Sequence, residues 1–518
     1  MSRGVVAAGH LLTAEAGASA LRAGGNAVDA AVGAVLASLV CESPLTGLGA
    51  GGYMLVHEPG GENVLLDFFV AAPGLGDARR QAELDVVPVH FNDEVSQDFY
   101  IGPASCGVPG VPRGLCHAIE RFGSLPMTEL AKPAVEAARN GVDVTEQQGY
   151  IHHILTPILT REPEGAAIYA PGEKVVGPGG VLRLPAVADD IERLAEDGAG
   201  PFYSGEVAET MARHVTGAGG ELSLDDLGSY EVIEREPVCG SFCGAAVLTN
   251  PPPSSGGILI CLALDILDRL GRTDADALVG ASQHVQALRT DEYYEGLEDG
   301  EFARAFLNED RVARAAEEVA ARIGPADAPP SRVDRMGSTT HITAVDAGGM
   351  CAAVTCSNGS GSGIFVPGTG IHLNNMLGEQ DLSPLGFHAT PAGRRMPSMM
   401  SPTVITRDGA LIAGLGSGGS NRIRSAVTQT IIRVLAGGDA IDEAVEAPRL
   451  HFEDGVVEAE PGLDPGELAA VEARGVPVHR WQTRNLFFGG VHAVARNPAS
   501  GELQGAGDPR RGGAVAVA

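Results

Sequence analysis

Residues 336 to 363, MGSTTHITAVDAGGMCAAVTCSNGSGSG, place two hydroxyls, Thr339 and Thr340, at the start of an apolar alternating run. That run reads as a β-hairpin, and the segment before it, IGPADAPPSRVDRMGS (323 to 338), has the Pro/Ala/Gly composition of a linker. A hydroxyl is a weak nucleophile at neutral pH and needs a base beside it. If the peptide bond before a threonine is cut, the freed α-amine becomes that base on the same residue. Its pKa, about 7.7 to 8.0, lies close to working pH. On this motif alone the two threonines read better as ordinary β-branched strand residues.

A second candidate is GSGGSNRI, 416 to 423, whose tight Gly turn offers backbone N–H groups to a tetrahedral oxyanion. A phosphate loop would need a strand-loop-lysine pattern, which this turn lacks. The eight cysteines are scattered, and only Cys239 and Cys243 lie close, with no second pair to complete a zinc site. They read as buried free thiols.

These groups must be held by a folded core. The chain has 518 residues, 44% hydrophobic and 20% charged, with 71 glycines and 33 prolines, which fits a globular enzyme rich in turns. A net charge of −30 leaves no basic face for nucleic acid, and 4% aromatics leave little for base stacking. The N-terminus lacks the basic region and unbroken apolar run of a secretory signal, and no stretch of about 18 apolar residues suggests a membrane span. The expectation is a cytoplasmic protein.

Residues 13 to 40 read as two small-residue helices split at Gly24-Gly25, the second capped by Asn26. TGLGAGGYMLVHEPGGENVLLDFF then reads as a hairpin, and 114 to 235 as mostly helical, with PMTELAKPAVEAARNG the clearest amphipathic stretch. PVCGSFCGAAVLTN returns to strand, followed after a proline turn by helix up to about Ile323. Beyond the linker THITAV, MCAAVTC, SPTVIT, ALIAGLG, VVEAEPG and GGVHAVARN read as strands. This order suits one α/β core better than two independent domains.

Taken in order, GGNAVDAAV, GLGAGGYML, GVPGVPRG, PPPSSGG, TTHITAVD, GIHLNN, MSPTV, GSGGSNRI, APRLH, GGVHAV and GAGDPRRGG span nearly the whole chain. Together they resemble the γ-glutamyltranspeptidase family of N-terminal-nucleophile hydrolases. The resemblance implies a four-layer αββα sandwich and a precursor that cuts itself. Carried onto this chain, the scissile bond is Ser338-Thr339, leaving a large segment, 1–338, and a small one, 339–518, that associate into one core. It further implies Thr339 as nucleophile, assisted by Ser357, where relatives usually carry Thr. Asn358 matches a substrate-contacting Asn if a short deletion is allowed. An ungapped match puts the oxyanion donors at Gly419 and Ser420, and a shift by one would give Gly418 and Gly419. No metal or organic cofactor is implied.

The donor pocket departs from the family pattern. The family's carboxylate-clamping Arg, a bidentate partner, is Phe69 here. A paired Ser-Ser becomes Ser398 and Met399, and the Gln and Asp that meet the donor's α-amino group become Met376 and Glu379. Loss of a charge-assisted bond costs about 1.5 to 3 kcal/mol, enough to remove a preference for glutamate. The expected activity is acyl transfer or amide hydrolysis through a Thr339 acyl-enzyme, with a less polar acyl donor, unless another Arg restores the clamp. The expected partners are small amide or peptide-like substrates. Acylases on glutaryl-like amides, C–C bond hydrolases and an uncleaved binding homologue are the alternatives. The segment QDLSPLGFHATPAG, shorter than the lid of many relatives, predicts an open site.

Overall fold

The computed structural model describes residues 3–90, 96–297, 299–321 and 339–518. The linker stretch, and with it Ser338, lies outside the described residues. Two antiparallel sheets form the centre. Their strands, in chain order, are β1 (Gly4–Ala8), β2 (Gly51–His57), β3 (Asn63–Phe68), β4 (Ile233–Arg235), β5 (Val238–Phe242), β6 (Ala245–Thr249), β7 (Thr339–Asp346), β8 (Cys351–Ser357), β9 (Thr403–Arg407), β10 (Ala410–Gly418), β11 (Gly490–Arg496), β12 (Leu503–Gly507) and β13 (Ala514–Val517). The first sheet runs β13-β1-β7-β8-β2-β3-β4 and the second β12-β11-β10-β9-β6-β5. Segments on both sides of the linker therefore supply strands to both sheets, and the Thr339 strand lies inside the first one rather than at its edge.

Helices α1 (Leu11–Arg22) and α2 (Ala27–Cys41) lie on the first sheet with α3 (Met127–Asn140) packed outside them, and α4 (Gly256–Leu270) and α7 (Arg422–Ile432) lie on the second with α5 (Ala275–Ala287) and α6 (Glu309–Ala321) packed on α4. The result is the expected αββα sandwich. Asn26 starts α2 with a capping box, accepting from the Val28 and Asp29 amides, while the Asp29 side chain reaches back to the Asn26 N–H. Every residue of α2 is buried, which its alanines allow, because small side chains let it sit between α1, α3 and the sheet.

Alternation along the strands separates two cores. Val6, Ala8, Ile342, Ala344 and Val354 face the α1/α2 layer. Val5, Ala7, Tyr53, Leu55, Leu415 and Val491 fill the space between the sheets and out to α4 and α7. The sheets approach closely over β7 because β10 presents glycines there. A Cβ at Gly414 would lie 2.4 Å from Cys351 Sγ, one at Gly416 2.3 Å from His341 Cε1, and one at Gly418 2.3 Å from the Thr339 carbonyl oxygen.

The expectation for the cysteines needs correction. Five are buried, but Cys116 is half-buried, and Cys239 and Cys243 are exposed on the β5-β6 hairpin at the edge of the second sheet. No helix among the described residues is long and apolar enough to cross a membrane. Gly416→Ala should cost about 1 to 3 kcal/mol in denaturant unfolding, because the new methyl meets a ring fixed on both sides.

Candidate active site

Thr339 is the first paired residue of β7, and the antiparallel register sets it opposite Ser357, the last residue of β8. Odd-numbered residues of β7 face the second sheet, so Thr339, His341 and Thr343 lie in a row between the layers. Thr339 Oγ1 donates to Ser357 Oγ at 3.2 Å, and the Gly359 N–H donates to the same oxygen at 3.1 Å. Both side chains are buried. His341 is held between Thr355 Oγ1 at 2.7 Å and Thr343 Oγ1 at 2.9 Å. Burial holds its pKa well below the ordinary value, so it is a neutral strut at physiological pH.

The carbonyl of Thr339 accepts from Arg511 Nη1 at 3.3 Å. Burial, and next to it the Arg422 charge, lower Arg511 to about 10, which leaves it cationic at neutral pH. Thr340 points the other way, and its hydroxyl donates to the buried carboxylate of Glu42, which also accepts from Thr13 Oγ1 at 2.8 Å.

The Gly turn stands beside this pair. Gly418 is still in the ladder, opposite Gly490, whereas Gly419 and Ser420 have left it with φ of 125° and 52°. A non-glycine residue with positive φ is uncommon, and such residues concentrate at functional sites. The Ser420 hydroxyl donates to the Asp381 carboxylate, and α7 begins two residues later, so the turn sits at a helix N-terminus.

Phe69, Met376 and Met399 are all buried and belong, with Leu377 and Met396, to the core between the sheets. The Phe69 ring stacks on Tyr53 with centroids 5.2 Å apart. Its N–H donates to Asp67 Oδ1 at 3.0 Å, and its carbonyl accepts from the Tyr230 hydroxyl at 2.7 Å. Arg235 and Arg395 lie at this strand end, but both are committed to Asp67, at 2.8 and 3.1 Å. Both also border a cavity of about 750 Å³, together with Arg394.

Ser398 is buried within a local hydrogen-bond network. It already accepts the Met400 N–H at 3.0 Å, and the Ser398 carbonyl takes the Ser254 hydroxyl and the Ser255 N–H, each at 2.8 Å. Glu379 Oε1 accepts the Ser360 N–H at 3.3 Å. A Cβ on Gly359 would lie 3.0 Å from that oxygen and 2.1 Å from Asn375 Oδ1, which is buried without a hydrogen-bond partner. Two acceptors therefore converge next to the turn that follows Ser357. Asn358 does not join them: its amide donates to the His372 carbonyl at 3.3 Å and lines a separate cavity of about 20 Å³ with Thr46 and Tyr169.

The segment that follows Glu379 reaches the Gly turn through Asp381. A cavity of about 400 Å³ opens between it and Arg289, lined also by Ser383 and Phe387. Glu42, Arg511 and Asp381 had no role in the sequence reading. Arg511 stands in GAGDPRRGG and Asp381 in the short lid segment, but no residue pattern marks Glu42, which meets Thr340 only through the fold.

Layers, strand order and a buried hydroxyl pair at the head of an internal strand define the class of N-terminal-nucleophile hydrolase folds. The family model described as Gamma-glutamyltranspeptidase matches residues 13–518, and this chain belongs to that family, whose members act on amide bonds. The acylase ACY 1 proenzyme of Pseudomonas sp. (strain V22) is 31% identical over 523 residues, covering 98% of this chain and 92% of its own. The glutathione hydrolase proenzyme of Escherichia coli (strain K12) is 30% identical over 538 residues, covering 98% and 90%. Among solved structures, the cephalosporin acylase from Bacillus halodurans superposes with a TM-score of 0.84 at 25% identity, covering 99% of this chain and 96% of that one.

Removing the acid under Phe69 would strand two arginines, one of them buried. Asp67→Ala should therefore destabilise the protein by about 3 to 5 kcal/mol in chemical denaturation.

Proposed function

We propose that this protein is a self-processing N-terminal-threonine amidohydrolase or acyltransferase, cut at Ser338-Thr339, whose two segments stay together as one core. The observation that carries the reading is the 3.2 Å contact between Thr339 Oγ1 and Ser357 Oγ at the first rung of β7 and β8. The freed α-amine takes the proton of Thr339 Oγ, and the oxygen attacks the acyl carbonyl. The Gly419 and Ser420 amides, outside the ladder at a helix N-terminus, are the donors for the oxyanion. The amine leaves with the proton, and water or a second amine resolves the Thr339 ester. Ser357 orients the attacking oxygen.

The donor we favour is an apolar acyl group that keeps an amine. Phe69, Met376 and Met399 are apolar core residues where the family pattern carries polar groups, and Arg235 and Arg395 both bind Asp67. Glu379 and Asn375 Oδ1 converge where an ammonium would be accepted. A second reading, an acylase acting on side-chain amides, is favoured by the same apolar residues and by the acylases among the similar proteins.

The test compares kcat/KM for a γ-glutamyl anilide with that for anilides of apolar acyl groups, with and without an amine. The apolar substrates should be turned over at least about tenfold better, the worth of roughly 1.4 kcal/mol. Equal or better use of the γ-glutamyl anilide would overturn the donor assignment. Ser357→Ala should lower kcat by about 10²-fold, with little change in KM, in steady-state assays of the best substrate.

A further inference from the structure

Glu42 is a buried carboxylate with no part in the chemistry above, yet it touches the residue next to the nucleophile. It follows the last residue of α2, where the helix dipole disfavours an anion. It accepts from the Thr340 and Thr13 hydroxyls. Its approach depends on Gly9, where a Cβ would lie 2.3 Å from Glu42 Oε2 and 3.4 Å from Thr340 Oγ1. A cavity of about 100 Å³ lies alongside, bordered by Gly9, His10, Glu42, Gln148, Arg511 and Gly512. Arg511, on the same cavity, donates to the Thr339 carbonyl. The two residues of the Thr-Thr pair are thus held, one by its hydroxyl and one by its carbonyl, by two groups that border one cavity.

We infer that Glu42 and Arg511 are positioning residues that fix the Thr339-Thr340 segment of the cleaved enzyme, Glu42 through the Thr340 hydroxyl and Arg511 through the Thr339 carbonyl. The inference rests on the proposed nucleophile. A strand that starts at a chain end has lost the covalent restraint on its first residue, and side-chain bonds must replace it if the oxygen is to stay in line.

The grip is sensitive to protons. Burial raises the Glu42 carboxyl to about 7, against the hydrogen bonds from Thr340 and Thr13 and the Arg511 charge. Other titratable groups also face Glu42 or this cavity. Burial raises the Cys41 thiol to about 12 and the Cys356 thiol further, and burial lowers His10. Arg510, which also lines the cavity, is held by Glu460 and Asp508. A carboxyl raised in the folded state favours folding while protonated, and that contribution is lost as pH rises through about 7. Glu42 therefore weakens the fold where the enzyme works, as a group kept for activity would.

The test uses E42Q, which keeps an acceptor oxygen but removes the titration, and T340V, which removes the hydroxyl and leaves Glu42 in place. Both should lower kcat/KM about 10- to 100-fold at pH 8 with KM nearly unchanged. The acid limb of wild-type kcat/KM should approach a two-proton slope below pH 6, from the α-amine and Glu42, and fall to one proton in both variants. E42Q should raise Tm at pH 8.5 and lose that advantage by pH 5. Should E42Q fail to fold, T340V reads the same link. A cleaved wild type whose slope and kcat/KM are shared by the folded variants would overturn the inference alone. An uncleaved wild type without activity would remove the nucleophile reading and this inference with it.

Discussion

The rung between Thr339 and Ser357 is the constraint from which the rest of the structure can be read. A hydroxyl at the head of a strand is useful only if its neighbours hold it to a fraction of an ångström. Here Ser357, itself held by the Gly359 amide, meets the hydroxyl, Arg511 holds the Thr339 carbonyl, and the second sheet closes over the pair. That closure is possible because β10 carries glycine at 414, 416 and 418, where any side chain would meet Cys351, His341 or Thr339 itself. His341, kept neutral by burial and bonded on both ring nitrogens, spaces the layers two residues along from Thr339.

The chemistry and the substrate preference sit on different parts of this frame. The hydroxyl pair and the Gly turn come from β7, β8 and the end of β10, which are buried strands. The positions proposed to set the donor lie just after β3 and in the irregular segments around Met376 and Met399, outside the strand ladders. At Phe69 the exchange is complete: an aromatic ring stacked on Tyr53 fills the core, and the nearby arginines serve Asp67 beneath it.

Much of this was legible in the residues. The Gly24-Gly25 break, the Asn26 cap and the alternating strands follow from local rules, and all of them appear in the structure. The Gly turn was legible as a turn, but only the φ values separate Gly418, still in the ladder, from Gly419 and Ser420. Asn358, just past the end of β8, gives its side-chain amide to the His372 carbonyl, a contact the sequence does not encode. Glu42 and Asp381 were invisible: they meet Thr340 and Ser420 across 298 and 39 residues of chain, through packing that no periodicity encodes. The exposure of Cys239 and Cys243 follows from their hairpin lying at a sheet edge, which depends on strand order rather than composition.

The most direct test of the central claim is intact mass of the purified protein, with and without Thr339→Ala. The wild type should give two fragments, corresponding to 1–338 and 339–518, and the variant one uncut chain. Cleavage at the same bond in the variant, or an uncut but active wild type, would contradict the assignment of Thr339 as the nucleophile.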